Sequence, residues 1–143
     1  MRRRQILLCV LIVFAVLAAG IGALYEHWIG FPRKIAGHWV RPAVTWYWTG
    51  YPPLGYPFPG IVQYVYTDER GRETKHGPLV ERGLHGSSAV LSRTGFYFED
   101  QPDGVFIEYQ TYWGTKLTET TFDHGKQISV FRYPVPPLSG PPH

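Results

Sequence analysis

The chain predicts an all-β domain, an antiparallel meander of stacked β-hairpins, preceded by one N-terminal transmembrane helix. Three observations carry this. Residues 6–24 are apolar or small, without a charge. Beyond them glycines recur at 37, 50, 60, 71, 77, 86, 95, 104, 114 and 125, with short aromatic or β-branched runs between them. Aromatics make up 16% of 143 residues, with Gly 16 and Pro 13. That composition suits turns and flat, half-buried surface better than amphipathic helix.

The first element is the run ILLCVLIVFAVLAAGIGAL at 6–24. Its 19 residues reach roughly 29 Å as a helix, about one hydrocarbon core. Arg2, Arg3 and Arg4 precede it, and Tyr25 and Trp28 follow where amphipathic rings meet headgroups. Beyond it only Arg33 and Lys34 are basic nearby, so the charge bias places the N-terminus in the cytoplasm and exports the body. The alternative is a cleaved signal peptide, with Val16-Leu17-Ala18 before the cut and a secreted body. The run continues through Ile21 and Leu24, which favours the anchor. Cys9, the sole cysteine, lies inside the run, so packing alone holds the exported body. The expected organisation is an anchor at 1–25, a juxtamembrane linker at 26–36, a β-hairpin domain at 37–132 and a Pro-rich tail at 133–143.

In the body, the runs at 61–66 and 105–109 read as strands. In the second, Val105, Ile107 and Tyr109 share one face, and Phe106 and Glu108 the other. Asp103-Gly104 reads as a hairpin turn. His76-Gly77, His85-Gly86 and His124-Gly125 read the same way, since His tolerates positive φ better than bulky residues do. Pro42, Pro52, Pro53, Pro57 and Pro59 argue against a regular strand across most of 39–60, though 43–49 can form one. The stretch 51–59 is expected as an extended loop with exposed rings. Trp46, Trp48, Tyr51, Tyr56 and Phe58 are therefore the candidate binding residues. They would serve a protein partner, a membrane surface or, in the secreted alternative, an envelope carbohydrate.

Residues 102–128, PDGVFIEYQTYWGTKLTETTFDHGKQI, resemble one unit of the MORN-type repeat, in the bacterial variant labelled toxin–antitoxin repeat. Gly104, Tyr109, Gly114, Phe122 and Gly125 occupy the repeat positions. Gly60, Tyr64, Gly71 and Gly77 repeat the first half, and Gly86 and Gly95 repeat it again. The resemblance implies stacked hairpins that bury aromatics between neighbours. It also implies protein–protein contact or scaffolding at a membrane surface, with self-association open to the same surfaces.

Several functions are argued against. From residue 25 onward 11 basic residues meet 11 acidic ones, so the body lacks the basic face of a nucleic-acid binder. His85-Gly86-Ser87-Ser88 is not a nucleophile elbow. His38, His76, His85 and His124 lack zinc-site spacing and read as turn residues. Glu108 and Glu119 on facing strands would form a carboxylate pair only if register brought them together. No catalytic residue, metal or cofactor is expected.

Overall fold

The computed structural model describes residues 2–50, 55–86 and 88–134. The apolar run forms α1 (Arg2–Trp28). Its stretch Leu7–Trp28 is 22 residues long, and none of the apolar window is buried by the rest of the chain. At 1.5 Å per residue it reaches about 33 Å, so it is long and apolar enough to cross a membrane. The helix runs past residue 25 through Glu26, His27 and Trp28, which the linker was expected to hold. It stops where the N–H groups of Ile29 and Gly30 both bond the Tyr25 carbonyl, at 2.8 and 3.1 Å. Gly30 then turns the chain at φ +85°, a left-handed conformation that suits glycine. A side chain there would collide with the Tyr64 hydroxyl.

The sheet also begins inside the expected linker, with β1 (Arg33–Ile35). It continues through β2 (His38–Trp48), β3 (Pro57–Thr67), β4 (Glu73–His85), β5 (Ser88–Phe98), β6 (Gln101–Pro102), β7 (Gly104–Tyr109), β8 (Lys116–Asp123) and β9 (Lys126–Arg132). Neighbours pair antiparallel in chain order, with β6 and β7 sharing β5. This is the expected meander. Of the expected tail, Tyr133, just past the end of β9, is still tied to the sheet. Its N–H bonds the Leu117 carbonyl at 2.9 Å. Residues 135–143 lie outside the described residues.

Several local expectations are corrected. Strand β2 runs through Pro42, and β3 begins at Pro57 and includes Pro59. Each proline stands where its strand has a neighbour on one side only. β1 pairs no further along β2 than Val40, and β4 joins β3 only from Ile61. A missing N–H is tolerated at such an edge. His76-Gly77 is not a turn but part of β4. Register there jumps from Gln63↔Leu79 to Val65↔Lys75, leaving His76, Gly77 and Pro78 opposite Tyr64 alone. Asp103-Gly104 is likewise no hairpin turn, since it joins β6 to β7 along the same partner strand. The turn is Glu99-Asp100, with φ of 50° and 65°. His124-Gly125 does turn β8 into β9, with φ of 46° and 84°.

The core centres on β3. Phe58, Val62, Tyr64 and Val65 are buried, together with Val40 and Leu79 from the neighbouring strands and Phe106 from β7. Three in-strand glycines make room for rings from adjacent strands. Gly60 lies under Tyr47, Gly77 under Tyr64 and Gly95 under Phe106. An added Cβ would enter the Tyr47 or Phe106 ring, and at Gly77 it would come within 2.9 Å of the Tyr64 Cβ. Ring over glycine repairs the surface that the missing side chain leaves open.

Candidate functional site

Antiparallel pairing carries one row of residues across the sheet: Thr45↔Ile61, Ile61↔Glu81, Glu81↔Arg93, Arg93↔Glu108 and Glu108↔Thr118. Around this row β2 to β5 line a trough of about 380 Å³. Ala43, Ile61, Val65 and Leu79 supply apolar lining, and Glu81, Arg93, Lys75 and Glu73 supply charge. Arg93 grips Glu81 with two hydrogen bonds, Nε to Oε2 at 2.9 Å and Nη2 to Oε1 at 2.7 Å. The Glu81 carboxylate raises the Arg93 pKa above its ordinary value against the opposing effect of burial. Glu108 extends the row and accepts a hydrogen bond from the Thr118 hydroxyl at 2.6 Å.

Gln63 stands among these residues, nearly buried. Its amide nitrogen donates to the Tyr64 carbonyl at 3.1 Å. Its amide oxygen has no hydrogen-bond partner among the described residues. That oxygen is enclosed by its neighbours, so it is an unpaired acceptor of the core beside the trough and not part of its open surface.

The sequence-predicted binding residues lie elsewhere, and not all together. Trp46 and Trp48 project from the end of β2 and are exposed, as is Tyr56. Phe58 is the opposite of an exposed loop ring. It is 2% exposed, because β3 already begins at Pro57 and carries it into the core beside Tyr47, with ring centroids 5.9 Å apart. Tyr51 lies outside the described residues. Trp46, Tyr56 and the Pro57–Pro59 backbone join Trp28 and Ile29 around an apolar cleft of about 310 Å³. Its described lining holds no carboxylate or carboxamide, the groups a sugar platform sets beside its rings.

The joint between helix and sheet is close by. The Arg33 guanidinium donates to the Tyr64 hydroxyl at 2.7 Å and to Glu26 at 3.0 Å. The Arg82 guanidinium lies 5.0 Å from the centre of the Trp28 ring, a cation–π contact. Burial lowers the Arg82 pKa.

At the opposite end of the strands, His76 is fully buried among aromatic rings. Its Nδ1 lies 3.3 Å from Glu99 Oε1, yet neither ring nitrogen makes a hydrogen bond among the described residues. His38 stacks on Tyr66 at 4.2 Å, and the Tyr66 hydroxyl donates to Glu99 at 2.6 Å. The Glu99 carboxylate thereby raises the Tyr66 pKa. His76 is thus a core residue and not the expected turn histidine. Nearby, Asp103, Asp123 and His124 place ligand-type atoms within 4.8 Å of one another. The Asp103 carboxylate accepts the His124 backbone N–H at 3.2 Å, and the Asp123 carboxylate meets the His124 ring at 2.7 Å, so turn geometry accounts for the grouping.

The repeat-defining residues take two roles. Gly71, Gly86, Gly114 and Gly125 serve turns, whereas Gly60, Gly77, Gly95 and Gly104 lie within strands. Tyr64 is buried, Tyr109 ends β7 and Phe122 packs against Phe106 with centroids 5.3 Å apart. Glu108 and Glu119 form no pair. Glu108 faces Thr118 while Glu119 faces Ile107, and this one-residue offset sends the carboxylates to opposite faces. Glu119 instead bonds Tyr133 and Lys116, which lower its pKa. Sequence reasoning missed Gln63, Glu81 and Arg93, because only register shows that they share a face.

Compared with protein-family models, curated proteins and solved structures, the chain matches none.

Proposed function

We propose that the chain is a membrane-anchored module of MORN-like type, with a cytoplasmic N-terminus and an exported sheet, which binds a partner protein at the membrane surface. The contact is the trough of β2 to β5, and the occupant is an extended segment of the partner. The mixed apolar and charged lining of the trough carries this reading. Ala43, Ile61, Val65 and Leu79 receive the side chains of the extended chain. The Glu81–Arg93–Glu108 row adds polar specificity. Export follows from the arginines before the helix.

The test is site-specific photocrosslinking in native membranes, with the photoreactive residue at Thr45 of the full-length protein. One discrete adduct is expected. Ile61→Ala should weaken it about fivefold, the effect of losing about 1 kcal/mol of apolar contact. No adduct, or one that Ile61→Ala leaves unchanged, removes the trough from the contact surface.

A further inference from the structure

The two ends of the sheet differ in chemistry. Because the strands alternate in direction, the turns after β2, β4 and β7 share one end. That end carries Trp46, Trp48 and Tyr56, and beyond them Tyr112 and Trp113 in the turn before β8. Trp48 is 58% exposed, Tyr112 68% and Trp113 64%. Tyr112 meets His85 at 4.6 Å, tying the turn after β7 to the turn after β4. The segments 46–57, 82–90 and 110–116 contain no aspartate or glutamate, and their charged residues are Arg82 and Lys116. The opposite turns carry Asp68-Glu69, Glu99-Asp100 and Asp123, together with Arg70 and Arg72 in the first and Lys126 after the last.

The helix says what covers the aromatic end. Trp28, the last residue of α1, lines the same cleft as Trp46 and Tyr56. The span Leu7–Trp28, 22 residues and about 33 Å with Glu26 and His27 in its last turn, places that tryptophan at the water boundary of a bilayer. The cleft therefore sits at headgroup depth. Exposed tryptophan and tyrosine with scattered cations partition there, and the nearby carboxylate, Glu26, is paired with Arg33.

We infer that the aromatic end of the sheet, formed by Trp46, Trp48, Tyr56, Tyr112 and Trp113, is a docking surface for the headgroup region of the bilayer that α1 crosses. The inference rests on the reading of α1 as a membrane span. It stands the strands on the membrane with their acidic turns pointing into water, and it leaves the trough open along the side.

The internal control is Trp39, which is exposed at the start of β2, toward the acidic end. Full-length variants that keep one tryptophan, at 28, 39 or 113, with phenylalanine at the others, are reconstituted into phosphatidylcholine vesicles carrying lipids brominated near the headgroup. Quenching of Trp113 is expected to reach at least about half that of Trp28, with Trp39 below about a tenth, as interfacial depth requires. If Trp28 is quenched and Trp113 is not, the docking surface is overturned while the span stands. If Trp28 is not quenched, the span fails and the inference with it. Equal quenching of Trp39 and Trp113 overturns the end-on orientation. Shielding of Trp113 that needs native membrane proteins, and is absent in pure lipid, overturns the inference in favour of a protein partner. Where a single-tryptophan variant loses its sheet by circular dichroism, a nitroxide on Tyr112→Cys in a Cys9→Ser background reads the same depth by its relative accessibility to oxygen and a water-soluble relaxant.

Discussion

The aromatic end and the acidic end of the sheet are built on different rules. At the aromatic end rings are either fully enclosed, as Phe58 is, or displayed, as Trp48 is, within one stretch of chain. At the acidic end short carboxylate-rich turns close the hairpins by hydrogen bonds. Asp68 accepts the backbone N–H groups of Arg70 and Arg72 at 2.8 and 2.9 Å, and Asp100 accepts that of Lys75 at 2.8 Å. These backbone bonds, that from Arg72 first, hold the Asp68 pKa below its ordinary value. One end is thus organised by burial and display, the other by local polar satisfaction. The difference teaches that stability and surface chemistry can be separated residue by residue at the aromatic end.

The largest expected effect breaks that separation directly. Phe58→Ala should cost about 3–5 kcal/mol, because it empties a fully enclosed ring site. Trp48→Ala should stay within about 0.5 kcal/mol, because that ring is displayed. Thermal and denaturant unfolding of the full-length protein in detergent measures both. Comparable losses for the two would show that Trp48 belongs to the core.

A smaller effect is expected at the acidic end. His76 is 0% exposed, its ring nitrogens make no hydrogen bond among the described residues, and its Nδ1 stands 3.3 Å from the Glu99 carboxylate. His76→Leu should be neutral or stabilising by up to about 1 kcal/mol in the same unfolding assay, since an orphaned polar group is replaced by apolar volume. A loss of the Phe58→Ala size would instead assign His76 a necessary polar contact with Glu99.

The smallest effect concerns the last turn. The His124 pKa is raised, first by its hydrogen bond to Asp123 and then by the charges of Asp103 and Asp123. A raised folded-state pKa makes the protonated form the stabilising one. The contribution is fully present below the unfolded histidine value of about 6.5 and is lost as pH rises through the folded value. NMR titration of the His124 ring should place its midpoint above the ordinary value, and Asp123→Asn should bring it back down. A midpoint already at the ordinary value would leave the turn to backbone geometry alone.

Much of the fold was legible. The charge-free run 6–24 marks the helix, and the spacing of glycines marks the meander, because both signals are local and periodic. What failed was local inference about positions whose neighbours lie far along the chain. Proline at 42, 57 and 59 reads as a strand breaker until the extents of β1 and β4 show that each stands beside an open edge. His76-Gly77 reads as a turn until Tyr64 is seen to occupy the opposing strand alone. The candidate site was half legible. Composition pointed to Trp46, Trp48 and Tyr56, but Phe58 shares that composition and is buried. The trough was not legible, because Gln63, Glu81 and Arg93 come together only through pairing across three strands.

The strand order also decides how the protein bears load. Each strand is bonded to its neighbours in chain order, and β1 contributes only the pairs Arg33↔Val40, Lys34↔Trp39 and Ile35↔His38. A pull applied between α1 and β9 would reach the sheet first at this short pairing. Hairpins pulled at their open ends unzip bond by bond instead of shearing together. Under such a pull the meander would open strand by strand, with the Arg33–Tyr64 hydrogen bond beside the first pairing to part.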